Sequence, residues 1–91
     1  MRRYELDLVA ARGEVVAFVE VKTRRPGPQT ASDALTGAQR RRIRRAAEAW
    51  IHAHPQAGRE FRFDLVAVEI GDGRPPRLRH VEEAFWGDEA L

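Results

Sequence analysis

Apolar and polar residues alternate at period two in the first quarter of the chain. Residues 3–11 and 14–22 therefore read as a β-hairpin turning around Arg12-Gly13. A two-residue turn there places Ala11 opposite Glu14, sets Glu5 against Glu20 and Asp7 against Phe18, and leaves Asp7 diagonal to Glu20. Alternation then brings Glu5, Asp7, Glu20 and Lys22 out on one face. The other face holds Leu6, Leu8, Val15, Ala17, Val19 and Val21, and suits a covering helix. Residues 23–35, with Pro26, Gly27, Pro28, Thr30 and Ser32, read as a surface loop placed to contact substrate or merely to connect.

Spacing changes at Thr36. Thr36-Gly-Ala-Gln39 is a capping-box pattern, and Ile43, Ala47, Trp50, Ile51 and His54 recur as the inner stripe of a helix over about 37–54. Arg40, Arg41, Arg44 and Arg45 lie mainly outside that stripe, and Pro55 supplies the stop. Alternation returns over 61–70, with Phe61, Phe63, Leu65 and Ala67 on one side. Gly71-Asp-Gly73 and Pro75-Pro76 bound a turn, Leu78–Val81 reads as a short edge strand, and Ala84-Phe85-Trp86 is expected to pack on the body. The fold class is α/β, with a mixed sheet.

Ninety-one residues make one small domain, 1–91, with a limited core, for which a homodimer is a natural supplement. The absence of cysteine excludes disulfides, thiolate zinc sites and thiol nucleophiles. No apolar run approaches the roughly 20 residues of a membrane span, and Met1-Arg-Arg-Tyr-Glu5 lacks a signal-peptide core. A cytoplasmic protein without membrane contact is expected. Residues 1–45 carry ten arginines and one lysine against five acids, a net of +6, and residues 46–91 carry five arginines against nine acids, a net of −4. Such asymmetry favours a polyanionic partner near the N-terminal half, although genome composition or thermal adaptation also enriches arginine over lysine.

Carboxylates and an ammonium inside an apolar strand pair are expensive to bury unless they pair or hold a metal. Magnesium or manganese takes hard oxygen ligands, commonly a few carboxylates completed by water. Asp7 and Glu20 are the expected ligands, with the Val21 carbonyl as a third and Glu5 holding a second ion or a water. Lys22, one alternation past Glu20, would stabilise charge developing on a phosphate. Solvated strand faces carrying edge charge are the plainer reading of the same residues. Arg24 and Arg25, beside the site, and the cluster Arg40, Arg41 and Arg44 are candidate phosphate contacts. A solvated helix face, with Arg44 and Glu48 at i,i+4, is the alternative for the cluster. Trp50 reads as core, Asp64 as a hydrogen-bonded strand carboxylate, and His52, His54 and His80 do not form a metal triad by spacing.

Three segments together, Tyr4-Glu-Leu-Asp-Leu-Val-Ala10, Val16-Ala-Phe-Val-Glu-Val-Lys-Thr-Arg-Arg25 and Arg62-Phe-Asp-Leu-Val66, resemble the bacterial YraN-like family (UPF0102). The resemblance covers nearly the whole chain. It implies a restriction-endonuclease-like core of the PD-(D/E)xK nuclease superfamily, related to Holliday-junction resolvases. It also implies that Asp7 is the metal-binding aspartate and that Glu20 and Lys22 are the (D/E)xK pair. Glu5 matches the family's glutamate, Tyr4 stands where glycine is usual, Asp33 where glutamate is common, and Gln39 where lysine is typical. Family members begin with a helix and first strand of roughly 30 residues absent here, which makes this chain a fragment, a misplaced start or a degenerate member. The implied function is metal-dependent hydrolysis of phosphodiester bonds in structured or branched DNA. A nucleic-acid-binding module without turnover, or a structural or protein-interaction domain, are the alternatives.

Overall fold

The structure, a computed structural model, describes residues 6–27, 35–56 and 60–85. Among them the order is β1 (Leu8–Arg12), β2 (Val15–Arg24), α1 (Gly37–Ala53), β3 (Glu60–Gly71) and β4 (Arg74–Phe85). The strands form one mixed sheet in the order β1-β2-β3-β4. β2 and β3 are parallel neighbours joined through α1, while β1 and β4 are antiparallel edges. This is the α/β class expected, consistent with a restriction-endonuclease-like core. None of the described helices is long and apolar enough to cross a membrane.

The hairpin forms, in a different register. Arg12 pairs with Val15 and Leu8 with Val19, so the turn residues are Gly13 and Glu14. Gly13 has φ +60°, which suits the first central residue of a type II′ turn and is strained for any side chain. The slip from the expected register is two residues, so each side chain keeps its face while its partner changes. Glu5, expected opposite Glu20, lies outside the described residues. β2 also runs on through Thr23 and Arg24, which were expected in the loop. Residues 28–34 of that segment, Asp33 included, lie outside the described residues.

α1 starts as its sequence dictates. The Thr36 side chain accepts from the Gln39 N–H at 3.1 Å, and the Gln39 side chain accepts from the Thr36 N–H at 2.8 Å. Two helix-end donors are thereby satisfied reciprocally. The helix covers the face opposite to the one expected. Val16 and Phe18 pack with Ala47, and Leu65 with Ile43 and Leu35, so α1 lies over the even positions of β2 and the odd positions of β3. The bulk decides: Phe18 stands edge-on to Trp50 at 5.5 Å and stacks on Phe61 at 5.9 Å, filling space that Ala17 and Val19 would leave empty. Ala46, 3 % exposed, belongs to the inner stripe, and His54 does not: it is the exposed C-cap, its ring stacked on Trp50 at 4.1 Å.

β4 is far longer than the edge strand expected at Leu78–Val81. Asp72 and Gly73, at φ 54° and 66°, make the tight turn from β3. Pro75 and Pro76 therefore sit inside β4, beside an irregularity in its pairing, where an edge strand tolerates missing donors. A second irregularity at Glu83 (φ 50°) aims its N–H at Asp64. Ala84 packs on the Leu65 cluster, and Trp86 lies outside the described residues.

Asp64 is 1 % exposed and fully engaged. It accepts from Arg62 Nε and Nη2 at 2.9 and 3.0 Å, from the Glu83 N–H at 3.1 Å, and bonds His80 Nε2 at 2.7 Å. Burial raises this carboxyl, but the Arg62, His80 and Glu83 hydrogen bonds together outweigh it and hold the pKa below the ordinary aspartate value. A depressed folded pKa gives stability that is present above the unfolded value and lost as pH falls through the folded one. Asp64→Asn is expected to remove about 2 kcal/mol, read from urea midpoints at neutral pH. It is also expected to flatten the loss of stability that wild type shows below the aspartate range. Parallel pH profiles for the two proteins would show that the network stores no such linkage.

Candidate active site

The true hairpin register brings the two principal carboxylates together. One step beyond the Leu8–Val19 pair, Asp7 comes level with Glu20 rather than Phe18. Asp7 precedes β1, and its Oδ2 accepts the Val21 N–H at 2.9 Å. Its side chain thus does what a backbone carbonyl would do in a continuing ladder. In an extended residue the N–H and C=O leave on the same side, so the Val21 carbonyl also leaves β2 on the Asp7 side. The Val21 side chain is on the opposite face and 42 % exposed.

Glu20 is 6 % exposed because it follows Phe18 on the face that α1 covers. Burial, then the hydrogen bond and like charge of Asp7, push its carboxyl above the ordinary glutamate value. Arg42 opposes them with Nη2 at 3.1 Å from Glu20 Oε2, and compensates only in part. Two carboxyl groups within hydrogen-bonding reach, short of positive charge, are therefore held on adjacent chain segments. Lys22 is the next residue on that face of β2 and is half-buried.

The remaining basic residues divide. Arg24 is half-buried on the Lys22 side of β2, and Arg25 is exposed with its guanidinium beside Gly71. Arg41 is exposed and Arg40 half-buried at the start of α1. Arg44, expected on the outer face, is turned along the helix: its side chain is 15 % exposed, with Nε 4.0 Å from Glu48 Oε1. Arg42 was not anticipated. Ala46, one turn further along a buried stripe, is the signal that points to it, since i and i+4 share a helix face.

Among the described residues no three His, Cys, Asp or Glu side chains converge. The oxygens that the described residues could offer a cation here are the Asp7 and Glu20 carboxylates and the Val21 carbonyl. That suits magnesium or manganese, which keeps several waters and binds through one or two carboxylates. Glu20 is buried beside the exposed Asp7, and a cation between them would offset the cost of its charge.

The family model of the uncharacterised protein family UPF0102 matches residues 1–68, which contain Asp7, Glu20, Lys22 and the whole of α1. The chain belongs to that family. A UPF0102 protein of Rhodococcus opacus (strain B4) is 45 % identical over 82 residues, 89 % of this chain and 70 % of the relative. One from Anaeromyxobacter dehalogenans (strain 2CP-C) is 44 % identical over 88 residues, 96 % and 65 % of the two chains. One from Frankia casuarinae is 42 % identical over 87 residues, 92 % and 72 %. This UPF0102 chain thus spans about two thirds to seven tenths of the length of these relatives.

Proposed function

We propose that this UPF0102 chain carries the catalytic core of a magnesium- or manganese-dependent endonuclease that hydrolyses phosphodiester bonds in structured or branched DNA. The Asp7–Glu20 carboxyl pair, with Glu20 destabilised as an anion and Lys22 next on the same face, is the observation that carries the reading. A divalent ion bound there would polarise the scissile phosphate and acidify an attacking water. Asp7 and Glu20 would hold the ion with the Val21 carbonyl, and the Val21 N–H fixes the Asp7 carboxylate in place. Lys22 places an ammonium where charge builds on the phosphate oxygens. Arg24, Arg25 and Arg41 position the DNA backbone without reading its sequence.

A second reading, DNA binding without turnover, has one observation in its favour. Arg42 already engages Glu20, at 3.1 Å, and must yield or share that carboxylate when a metal binds. Incubating the protein with duplex, single-stranded and four-way-junction DNA, in magnesium, manganese or a chelator, separates the two. Metal-dependent cleavage that the chelator abolishes supports the nuclease. Binding without cleavage in either metal leaves the second reading, and no binding even at low salt overturns both.

A further inference from the structure

β4 begins at Arg74, beyond the residues matched by the family model, and places three arginines on the site's side of the molecule. Lys22 is level with Ala67 of β3, which is level with Arg79 of β4. One row further, Arg24 is level with Glu69 and then Arg77. Paired positions of adjacent strands share a face, so Lys22, Arg24, Arg77 and Arg79 project to the side on which Asp7 and Glu20 meet. Two strand spacings separate the β2 and β4 members of each row by about 10 Å, and Arg77 from Arg79 is about 7 Å along the strand. That last interval is a step comparable to successive phosphates of one nucleic-acid strand.

The arrangement is built rather than incidental. Glu69 is 7 % exposed and accepts from Arg79 Nε at 3.1 Å, while the Arg79 side chain remains 62 % exposed. The buried carboxylate thereby fixes a guanidinium that still faces solvent. Arg74 and Arg77 are exposed and line a cleft of about 140 Å³ with Pro26, Glu69, Gly71 and Asp72. Arg25 reaches the same end of the sheet, beside Gly71. Six cations (Lys22, Arg24, Arg25, Arg74, Arg77 and Arg79) thus gather from β2, β4 and their flanks, against Glu69 and Asp72 at that end of the sheet and Asp7 and Glu20 beside Lys22.

We infer that Arg74, Arg77 and Arg79 form a phosphate track that carries one DNA strand away from the Asp7–Glu20–Lys22 site across β4. This rests on the function proposed above. The track binds backbone, so it lengthens the footprint without adding sequence preference.

Salt-dependent binding of the full chain to labelled duplex and single-stranded DNA, with magnesium replaced by chelator, is the test. Arg74→Gln with Arg77→Gln is expected to weaken binding by more than about tenfold at low salt. The log–log salt slope should become shallower by about 1.8 on duplex or 1.4 on a single strand, the value of two lost phosphate contacts. Because removing Arg79 alone would strand Glu69, the second variant is Arg79→Gln with Glu69→Gln, which keeps net charge constant and should still flatten the slope. Arg12→Ala, at the far end of the sheet beside the β1–β2 turn, should leave the slope unchanged. Wild-type binding with unaltered slopes in both double variants overturns the track alone, as does an equal loss in Arg12→Ala. A wild type that binds no DNA overturns the proposed function with it.

Discussion

Lys22→Ala is expected to slow metal-dependent DNA cleavage by at least about a hundredfold, the usual consequence of removing one preorganised group that faces developing charge. Lys22 is half-buried, and it neighbours Glu20 on the same face. Its ammonium therefore acts where the protein has displaced much of the screening water. Single-turnover cleavage of a four-way junction should show the loss in the chemical step, with binding reduced only by the share of one phosphate contact. Lys22→Arg is expected to recover binding but not rate, because a planar guanidinium cannot occupy the position of a compact ammonium. A rate within a few fold of wild type in Lys22→Ala would remove this side chain from the chemistry.

Glu20→Gln is expected to uncouple stability from divalent metal. In wild type, a metal held by Asp7 and Glu20 at a hundred times its dissociation constant adds about 2.7 kcal/mol, which in a domain of this size is a rise in Tm of about 10 °C or more. The glutamine variant should lose most of that rise. Without metal the order reverses. Burial and Asp7 raise the Glu20 carboxyl, so its favourable contribution is present at acid pH and lost as pH rises through the folded pKa. Above that folded pKa the charged Glu20 is disfavoured in the metal-free fold, and a glutamine amide can donate to Asp7 without charge. Glu20→Gln should melt above wild type in chelator and below it in saturating magnesium or manganese. Equal metal-induced shifts in the two proteins would show that the cation binds elsewhere.

Much of this arrangement was legible in local pattern. Period-two alternation located β2 and β3 and assigned Asp7, Glu20 and Lys22 to one face, and the Thr36–Gln39 box located the start of α1 within the chain. The hairpin register was missed by two residues. The available signal was the dipeptide itself: Gly13-Glu14 fits a type II′ turn with glycine at the first central position, whereas an Arg12-Gly13 turn of type I′ would need a positive φ at arginine. Since the error was even, the face survived, and the correction brought Asp7 level with Glu20. Arg42 escaped notice because a long basic side chain beside a buried stripe reads as solvated until the sheet beneath it is known.

Sequence alone determined the extended and helical segments, the helix cap, and the set of charges that share a strand face, since each depends on neighbours within a few residues. Tertiary structure decided which side of the sheet α1 covers, how Glu20 came to be buried beside Asp7 and Arg42, and that arginines from an acidic half of the chain line up with Lys22. Those outcomes depend on pairing between β2, β3 and β4 across tens of residues. Regional charge sums and short-range periodicity average over just these contacts.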